Sequence, residues 1–582
     1  MESTHIKSLN KDQQEAATYT EGASLILAGA GSGKTRVLIA KVNHLIEVCH
    51  MNPMAILMIT FTNKAAGEMK ERMGHTHIGF VGTFHSFCAR ILRIHGSRID
   101  LAPHYVIFDT ADQTVLMKNI LKPMNTKLTP SYVLNRISQA KNEAIGAAQF
   151  GTIFQDYHAP LVAEAYRQYE IELHKHDAID FDDLLLKTIQ LLAAHKDILD
   201  TYQSKYEHVL IDEFQDTNAV QYRLARMLCA SHNHVTVVGD FSQSIYSWRG
   251  ADIRNLERFE ADFPDTKIFH LEQNYRSTAP ILEYAYKVIN ENTTHPILKL
   301  HTTRDGENVR VFDASDEQEE VDFIIDTLTT HVKRNEHESF AILYRTNAQS
   351  RTIEEGLLHA GFSYVLVGGT RFYERREVKD VISYLRLLLH PNDTVSRDRI
   401  LKLGKRRFDT FKKRYAEIVA QVETSTTLDL LEAIFEASSY LDMFNRDDPE
   451  DYARLENIRE LKSVANTFTK LPDFLEQVAL VQSEYSQDEI EKKQVADIKL
   501  MTLHQAKGLE FDCVFVIGLE EGLLPHSRSL EDKYALEEER RLFYVGVTRA
   551  RHMLYISHAR RRFIFGRRTF GIPSRFLPEQ TD

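Results

Sequence analysis

The chain has 582 residues, with 71 lysines and arginines against 83 aspartates and glutamates, a formal net charge of −12. This length exceeds what one hydrophobic core supports, so we expect three or four domains. A composition of 43% hydrophobic and 26% charged residues is that of an ordinary soluble globular protein. The net charge alone argues against a nucleic-acid partner. The electrostatic attraction of a phosphate acts only over a short distance in salt, so the distribution of charge matters more than its sum.

Cysteine spacing and hydropathy exclude several other classes. The four cysteines, Cys49, Cys88, Cys229 and Cys513, lie far apart without a CxxC pair, which argues against a disulfide framework or a zinc ribbon. The N-terminus, MESTHIKSLN, is too polar for a signal peptide, and apolar runs such as MAILMITF fall short of the ~20 residues that span a bilayer. We therefore expect a soluble cytoplasmic protein without a membrane partner.

Two sets of short apolar runs end in polar, glycine-rich or acidic turns. Runs of this kind between helical patterns predict buried parallel strands with functional turns at their carboxyl ends. The first set, in 20–110 and 205–280, comprises SLILAGAG, AILMITFT, IGFVGTFHS, HVLIDEFQD, VTVVGDFSQ and KIFHLEQNY. The second, in 339–370 and 497–558, comprises SFAILYRT, YVLVGG, DIKLMTLH, CVFVIGL and HMLYISHA.

Long helix-like sequence interrupts each set, as in LVAEAYRQYEIELHKH and YARLENIRELKSVANTFTKL. The simplest interpretation is an α/β protein of two domains with parallel sheets, each carrying a mainly helical insertion. We place the first domain in 1–108 and 200–280 with its insertion in 109–199. The second is placed in 281–380 and 490–582 with its insertion in 381–489.

The stretch AGAGSGKT, Ala28 to Thr35, follows an apolar strand and precedes helical sequence. A glycine-rich turn lets backbone N–H groups point at phosphate oxygens at a helix N-terminus. Lys34 is expected to reach the β- and γ-phosphates and Thr35 to hold Mg²⁺. The strict P-loop pattern fails by one residue, because Ala28 stands where the first glycine belongs.

Carboxylates and arginines supply the remaining chemistry of phosphoryl transfer. Asp212 and Glu213 end the strand in HVLIDEFQD, where Asp212 can bind Mg²⁺ and Glu213 can deprotonate the attacking water. Candidate arginine fingers are Arg276 in LEQNYRS and Arg549 in VGVTRAR. From the residues alone, a surface salt bridge explains either arginine better.

The single tryptophan, Trp248, lies in VVGDFSQSIYSWRGAD, and its environment cannot be read from the sequence alone. A lone tryptophan is more often packed in a core, but Trp248 beside Tyr246 and Arg249 also suits a stacking surface for a base. Basic residues cluster in 371–379, in 404–414 and from Arg549 to Arg575, where eight arginines occur without an acidic residue. Each basic cluster alone is weak evidence for phosphate binding.

The ordered set of these motifs resembles superfamily 1 DNA helicases of the UvrD/PcrA/Rep type. LNKDQQEAA is similar to the Q motif, AGAGSGKTR to motif I, TFTNKAAGEMKERM and GTFHSF to motifs Ia and Ib, and IDFDDLL to the segment closing the first insertion. Motifs II, III, IV, V and VI have similar stretches in this chain, which are, in the same order, LIDEFQDTN, VVGDFSQSIYSWRGA, LEQNYRS, MTLHQAKGLEFDCVFVIGLEEGLLP and EEERRLFYVGVTRAR. An alanine at the position of Ala28 is typical of this family, so this departure from the strict P-loop pattern supports the resemblance.

The resemblance implies two RecA-like P-loop domains, with insertions 1B and 2B, and it implies a role for each matching residue. Catalytic roles are implied for Lys34, Asp212, Glu213, Gln243, Arg276 and Arg549, with Gln243 sensing the γ-phosphate. Nucleotide-binding positions are Gln13, Ala28, Gly29, Ala30, Gly31, Ser32, Gly33, Lys34, Thr35, Arg36, Tyr275, Arg276, Glu510 and Arg549. Metal ligands are Thr35 and Asp212 for Mg²⁺. The single-stranded DNA path is implied to contain Phe61, Thr83, His85, Tyr246, Trp248, Thr502 and His504.

The function implied is an ATP-dependent DNA helicase that uses Mg²⁺ with ATP, moves 3′→5′ on single-stranded DNA and unwinds duplex in repair, replication or recombination. ATP is expected between the two α/β domains, and single-stranded DNA and its junctions with duplex are the expected partners. Two departures keep an alternative open. The chain ends soon after PSRFLPEQTD, and the second insertion is short, with KLGKRRFDTF where relatives carry a duplex-contacting turn. A single-strand translocase that strips proteins or drives a nuclease or defence complex is therefore the alternative, and a nucleotide-gated scaffold without turnover is a third possibility.

Overall fold

The computed structural model describes residues 4–74, 76–334, 339–491, 497–564 and 567–578. The chain divides into two compact units. The first contains residues 1–276 and 293–302, and the second contains residues 277–292 and 303–582. None of the described helices is long and apolar enough to cross a membrane.

The first unit is built on a parallel six-stranded sheet in the order β3-β2-β6-β7-β1-β8. Its strands are β1 (Ser24–Ala28), β2 (Ile56–Thr60), β3 (Phe80–Thr83), β6 (His208–Ile211), β7 (Val235–Gly239) and β8 (Lys267–Leu271), with the short pair β4 (Val106–Ile107) and β5 (Ala178–Ile179) outside the sheet. Its helices are α1 (Thr4–Lys7), α2 (Lys11–Thr18), α3 (Lys34–Glu47), α4 (Asn63–Met73), α5 (Phe84–His95), α6 (Thr110–Leu121), α7 (Pro130–Asn142), α8 (Ala147–Ile153), α9 (Ala159–Lys175), α10 (Phe181–Ala194), α11 (Lys196–Lys205), α12 (Ala219–Cys229) and α13 (Asn255–Asp262).

Both faces of this sheet are buried. Successive side chains of a strand point to opposite faces, so one strand contributes to two apolar clusters. Leu25 and Leu27 of β1 belong to one apolar cluster, whereas Ile26 and Ala28 belong to another. All strands are parallel, so their carboxyl ends meet at one edge of the sheet, and the loops after β1, β6 and β7 leave from that edge.

The second unit has its own parallel six-stranded sheet, in the order β11-β12-β10-β13-β14-β9. Its strands are β9 (Arg310–Ala314), β10 (Ser339–Tyr344), β11 (Val365–Leu366), β12 (Asp497–Thr502), β13 (Phe511–Val516) and β14 (Ala550–Ala559), followed by an antiparallel hairpin of β15 (Arg561–Ile564) and β16 (Arg567–Phe570). Its helices are α14 (Ala279–Ile289), α15 (Glu317–Arg334), α16 (Ser350–His359), α17 (Arg376–Leu389), α18 (Thr394–Lys402), α19 (Lys405–Ala420), α20 (Thr427–Ser438), α21 (Pro449–Thr467), α22 (Leu471–Glu491) and α23 (Lys533–Val547).

Helical segments inside each unit bury apolar clusters of their own. One cluster gathers residues between Leu116 and Ala178, and another gathers residues between Phe372 and Val481. The predicted fold class, α/β with two parallel sheets and mainly helical insertions, is confirmed. The sequence pattern missed β9, because this strand lies at the sheet edge and its two half-buried apolar residues are flanked by exposed, charged Arg310 and Asp313.

Candidate nucleotide site and single-strand path

The loop between β1 and α3 has the backbone that phosphate binding requires. Gly31 and Gly33 have φ angles of 66° and 85°, in the left-handed region that favours glycine. Gly33 is the N-cap of α3 and offers no side chain, so the helix N-terminus stays open to an anion. Ala28 is the last residue of β1 and precedes the turn with positive φ angles, so its position does not require the conformational freedom of glycine.

The two carboxylates after β6 lie beside this loop. The Nζ of Lys34 is 3.4 Å from Oε2 of Glu213. Glu213 adopts a left-handed backbone (φ 51°), which is uncommon for a side chain of this size and clusters at functional sites. The backbone N–H of Asp212 donates to the carbonyl of Ile59 on β2 at 2.9 Å, which fixes Asp212 at the sheet edge.

Burial and neighbouring charge set the protonation of this cluster. Burial, with the charge of Glu213 added, raises the pKa of Asp212 to about 7, although Lys34 opposes the shift. Burial also raises the pKa of Asp240. For Lys34 burial lowers the pKa, but the surrounding carboxylates, Glu213 foremost, raise it more, so the ammonium stays charged. The site therefore pairs a permanent cation with carboxylates that resist ionisation.

A hydrogen-bonded chain extends from Glu213 to the loop after β7. Gln215 donates to Glu213 through Nε2, and its Oε1 accepts from the backbone N–H of Asp240 at 3.0 Å. Gln243 donates from Nε2 to Oδ2 of Asp240 at 2.5 Å. Because Gln215, Asp240 and Gln243 are all buried, this chain can transmit a change at Glu213 without interruption by water.

The donor set also fits a divalent cation held by few protein ligands. Oδ1 of Asp212 is buried and has no hydrogen-bond partner, which leaves a carboxylate oxygen available. Thr35 supplies a hydroxyl next to Lys34 in sequence. Among the described residues no group of three or more His, Cys, Asp or Glu side chains could hold a metal by itself. This combination suits Mg²⁺, which keeps several waters and takes only one or two carboxylates together with substrate phosphates.

The residues assigned to the adenine side meet at the same loop. Gln13 is buried and donates from Nε2 to the carbonyl of Ser32 at 2.8 Å. Tyr275 is 43% exposed, and its backbone N–H donates to the carbonyl of Gly31 at 3.0 Å. Arg36 donates to the carbonyl of Ser8 at 2.7 Å. Segments far apart in sequence therefore converge on the P-loop within the first unit.

Arg276 is held at this loop by its own backbone. Its N–H donates to Oδ1 of Asn274 at 2.8 Å, and the amide of Asn274 donates to the carbonyl of Ala30 at 2.6 Å. A Cβ built on Gly31 would lie 2.8 Å from the Cβ of Arg276, so only glycine allows this close approach.

Two assigned residues lie in the second unit and are engaged there. Arg549 is 1% exposed and donates to the carbonyls of Val545 and Leu509 at 2.9 and 3.1 Å. Glu510 forms an ion pair with Arg551. In this conformation the guanidinium of Arg549 is engaged by backbone carbonyls of its own unit.

The single tryptophan is exposed rather than packed in a core. Trp248 has 56% of its surface accessible and lies in a short 3-10 turn, residues 247–249. The guanidinium of Arg249 lies 4.6 Å from its ring centroid. Tyr246 stacks on Phe61 with centroids 5.8 Å apart and planes 11° from parallel. An exposed indole beside stacked rings and a cation favours the base-stacking interpretation over core packing.

The other residues assigned to the strand path are distributed over both units. Thr83 is buried and caps α5 by accepting from the N–H of Ser86 at 3.2 Å. His85 lies edge-on to Phe181, with centroids 6.2 Å apart. In the second unit Thr502 donates to Oε1 of Gln505 through its backbone and its hydroxyl, and His504 is half-buried.

Comparison with known proteins matches this arrangement to one family over nearly the whole chain. The UvrD/REP helicase N-terminal domain matches residues 9–264, and the UvrD-like helicase C-terminal domain matches residues 269–447 and 406–561. The ATP-dependent DNA helicase PcrA of Bacillus subtilis is 40% identical, and the protein of the same name from Staphylococcus aureus is 38% identical. Each alignment covers 99% of this chain and 86% of the relative.

The chain belongs to the UvrD/REP helicase family. The resemblance inferred from the motifs is confirmed, and so is the α/β architecture that it implied. The individual residue assignments stay predictions, which the geometry above makes specific.

One side chain beside the predicted strand path was not singled out in the sequence. Phe181, 52% exposed at the start of α10, faces His85. The contact joins residues 96 positions apart and leaves no local signal. Arg249, noted in the sequence as the neighbour of Trp248, lies over the ring of Trp248.

The arginine-rich run from Arg549 to Arg575 is largely neutralised inside the second unit. Arg562 pairs with Glu320 at 2.6 Å and with Glu520 at 2.8 Å. Arg560 pairs with Asp313, and Arg575 pairs with Glu521. These three arginines pair with acids from other segments of the second unit, so they do not contribute free positive charge.

Proposed function

We propose that this protein is an ATP-dependent DNA helicase that moves 3′→5′ along single-stranded DNA and unwinds duplex at its junction with the single strand. The observation that carries the proposal is the continuous connection from Lys34 and Glu213, through Gln215, to the segment that holds both Gln243 and Trp248. Family membership supports the same activity. We assign the helical residues 109–199 and 381–489 to insertions 1B and 2B.

In the proposed reaction Lys34 and the N–H groups at the start of α3 bind the ATP phosphates, while Gln13 and Tyr275 border the adenine. Asp212 and Thr35 would hold Mg²⁺, which when bound offsets negative charge on the phosphates. Glu213 orients and deprotonates the attacking water. Arg276 and Arg549 stabilise charge on the departing phosphate, a contribution of about 10³–10⁵ in rate for an arginine finger.

Coupling to DNA follows from the position of Gln243 relative to Trp248. Loss of the γ-phosphate alters the partner of Gln243, and the change passes along five residues to the indole. Stacking of a base on an aromatic ring is worth ~1–3 kcal/mol, and opening one DNA step costs ~1.4 kcal/mol on average. Because the two are of the same order, a stack that forms and breaks once per ATP can bias motion along a strand without stalling release.

The decisive experiment is strand displacement by the purified chain on 3′-tailed, 5′-tailed and blunt duplexes, with ATP hydrolysis measured in parallel. We expect unwinding of the 3′-tailed substrate only, and neither activity in Lys34→Ala. Hydrolysis stimulated by single strands without strand displacement would instead identify a translocase that does not unwind alone. Hydrolysis that single-stranded DNA fails to stimulate would contradict the proposal.

A further inference from the structure

Asn142, the last residue of α7, has a side-chain amide that joins two different elements of the first unit. Its Nδ2 donates to the carbonyl of Ser138 at 2.9 Å and to Oδ1 of Asp182 on α10 at 3.2 Å. Its Oδ1 accepts from Nδ2 of Asn218 at 2.6 Å. One half-buried amide thus connects a helix of the inserted region to the segment that follows the carboxylates Asp212 and Glu213.

Asn218 transmits this connection into the region of the catalytic carboxylates. It is the N-cap of α12, and its Oδ1 accepts from the N–H of Gln221 at 2.8 Å. The residue before it, Thr217, accepts through its carbonyl from the N–H of Asp252 at 3.0 Å and from Nδ2 of Asn255 at 2.9 Å. The segment just after the carboxylates therefore anchors the far end of the loop that carries Trp248.

That loop also passes close to the pair of asparagines. Gly250 closes the turn that contains Trp248, has a φ angle of 88°, and donates to the carbonyl of Ser247 at 2.8 Å. A Cβ built on Gly250 would lie 3.5 Å from the Cβ of Asn142 and 3.8 Å from the Cβ of Asn218, at ordinary van der Waals distance, so both asparagines border the turn. The position of Asn142 therefore limits the space that the turn presenting the indole can occupy.

Buried ion pairs hold the end of α7 next to Asn142. Its neighbour Lys141 is fully buried, and Nζ lies 2.8 Å from Asp180, 2.9 Å from Asp183 and 3.0 Å from Glu170. These contacts fix the end of α7 to the start of α10, where Phe181 faces the strand path. A buried and paired cation of this kind holds one geometry, because its displacement would leave unpaired charges in the interior.

We propose that Asn142 is a positioning residue that holds the Trp248 turn in register with the catalytic carboxylates through its hydrogen bond to Asn218. Asn142 touches neither nucleotide nor DNA in this assignment. Its function is to couple a change in the contacts of Glu213 and Gln243 to the position of the indole. The inference rests on the proposed function for its consequence in translocation, but the link itself is a property of the first unit.

Two variants remove the hydrogen bond between Asn142 and Asn218 from its two sides, and Asn142→Leu also removes the bonds of Asn142 to Ser138 and Asp182. Asn142→Leu keeps the side-chain volume under Gly250 but removes both the donor and the acceptor. Asn218→Asp keeps the oxygen that caps α12 but removes the Nδ2 donor. Gln139→Ala, on the exposed face of the same helix, is the matched control.

The first readout is the number of nucleotides moved per ATP, from translocation and hydrolysis rates measured on the same poly-dT. We expect both variants to lower this ratio about fivefold, the scale of one ordinary hydrogen bond, while DNA-stimulated hydrolysis stays within about twofold of wild type. The double variant should be no worse than Asn142→Leu alone, since that variant already removes the bond that Asn218→Asp removes. Gln139→Ala should match wild type.

The second readout uses Trp248 as the only tryptophan of the chain. We expect its fluorescence to respond to a non-hydrolysable ATP analogue without DNA in the wild type, and to lose that response in Asn142→Leu. Unchanged coupling and an unchanged Trp248 response in both single variants would overturn the proposal. A parallel fall in thermal stability, hydrolysis and coupling, with additive effects in the double variant, would overturn it as well, since it indicates a structural role alone.

Failure of the proposed function has a different signature. If the wild type shows no hydrolysis stimulated by DNA, the helicase assignment fails, while the fluorescence response to the analogue still decides whether Asn142 links the nucleotide site to Trp248.

Discussion

The Nζ of Lys34 lies 3.4 Å from Oε2 of Glu213, so the lysine predicted to bind phosphate and the proposed general base form a direct ion pair. The pairing raises the pKa of Lys34, together with the neighbouring carboxylates and against the effect of burial. We expect ATP phosphates to compete for the same ammonium group, and we expect nucleotide binding to release Glu213 from this pair.

Replacement of Glu213 by glutamine should abolish turnover and spare binding. We expect Glu213→Gln to lower kcat about 10²–10⁴-fold, the usual contribution of a positioned general base, while a fluorescent ATP analogue still binds. Phosphate release and analogue titration measure the two effects separately. Glu68→Gln, which removes a carboxylate from the surface of α4, is the control. An equal loss of nucleotide binding and of turnover would show that Glu213 contributes to nucleotide binding and not to the chemical step.

Removal of the indole should uncouple hydrolysis from movement. In Trp248→Ala we expect affinity for single-stranded DNA to fall about 5–150-fold, the equivalent of one lost base stack, and nucleotides moved per ATP to fall with it. Nucleotide binding should persist, because the side chains beside Trp248 are Tyr246 and Arg249, neither of which is assigned to the nucleotide site. Tyr157→Ala removes a 92% exposed aromatic ring elsewhere in the first unit and serves as the control. Stepping equal to that of wild type would refute the stacking role.

Arg549 offers a test that separates catalysis from folding. If Arg549 leaves its backbone partners to stabilise the departing phosphate, Arg549→Ala should lower kcat about 10³-fold or more. Arg549→Lys should recover stability better than activity, because lysine keeps the charge without the planar fork. Thermal unfolding and hydrolysis are measured on both variants, with Arg454→Ala as an exposed control. A lowered melting temperature with unchanged kcat would assign Arg549 a structural role only.

Buried Lys41 on α3 should give the first unit a pH-dependent stability. Its Nζ donates to the carbonyls of Ala16 and Tyr19, and burial lowers its pKa to about 7. The unfolded chain, with a lysine pKa near 10.5, then binds more protons than the folded chain between pH 7 and about 10. Stability should therefore rise with pH across that window, by up to about 1.4 kcal/mol per unit from this group.

Urea unfolding followed by Trp248 fluorescence at pH 7, 8 and 9 measures this slope within the first unit. We expect Lys41→Met to lose the contribution of Lys41 to the slope, and Lys11→Met, which removes an exposed lysine from α2, to retain it. A slope unaltered in Lys41→Met would show that Lys41 stays protonated in the folded protein.

Much of this protein was readable from the sequence, because the signals are local. The strand of β1, the glycines after it and the helix that begins at Lys34 lie within a few residues of one another, and their spacing dictates a P-loop. Complete burial of β1, β6 and β7 follows from apolar runs that are nearly continuous in sequence. The order of the motifs along the chain was enough to recognise the family.

Tertiary structure decided the features that depend on distant pairs. The contact of Asn142 with Asn218 spans 76 positions, and the pairing of Arg562 with Glu320 spans 242. No periodicity encodes such contacts, so the acidic partners of the arginine-rich run could not be identified and Asn142 was unremarkable in the sequence. Exposure of Trp248 was equally undecidable, because an indole suits a core or a base-stacking surface with the same chemistry. Only the folded chain shows that Trp248 is exposed, because burial depends on which distant segments pack together.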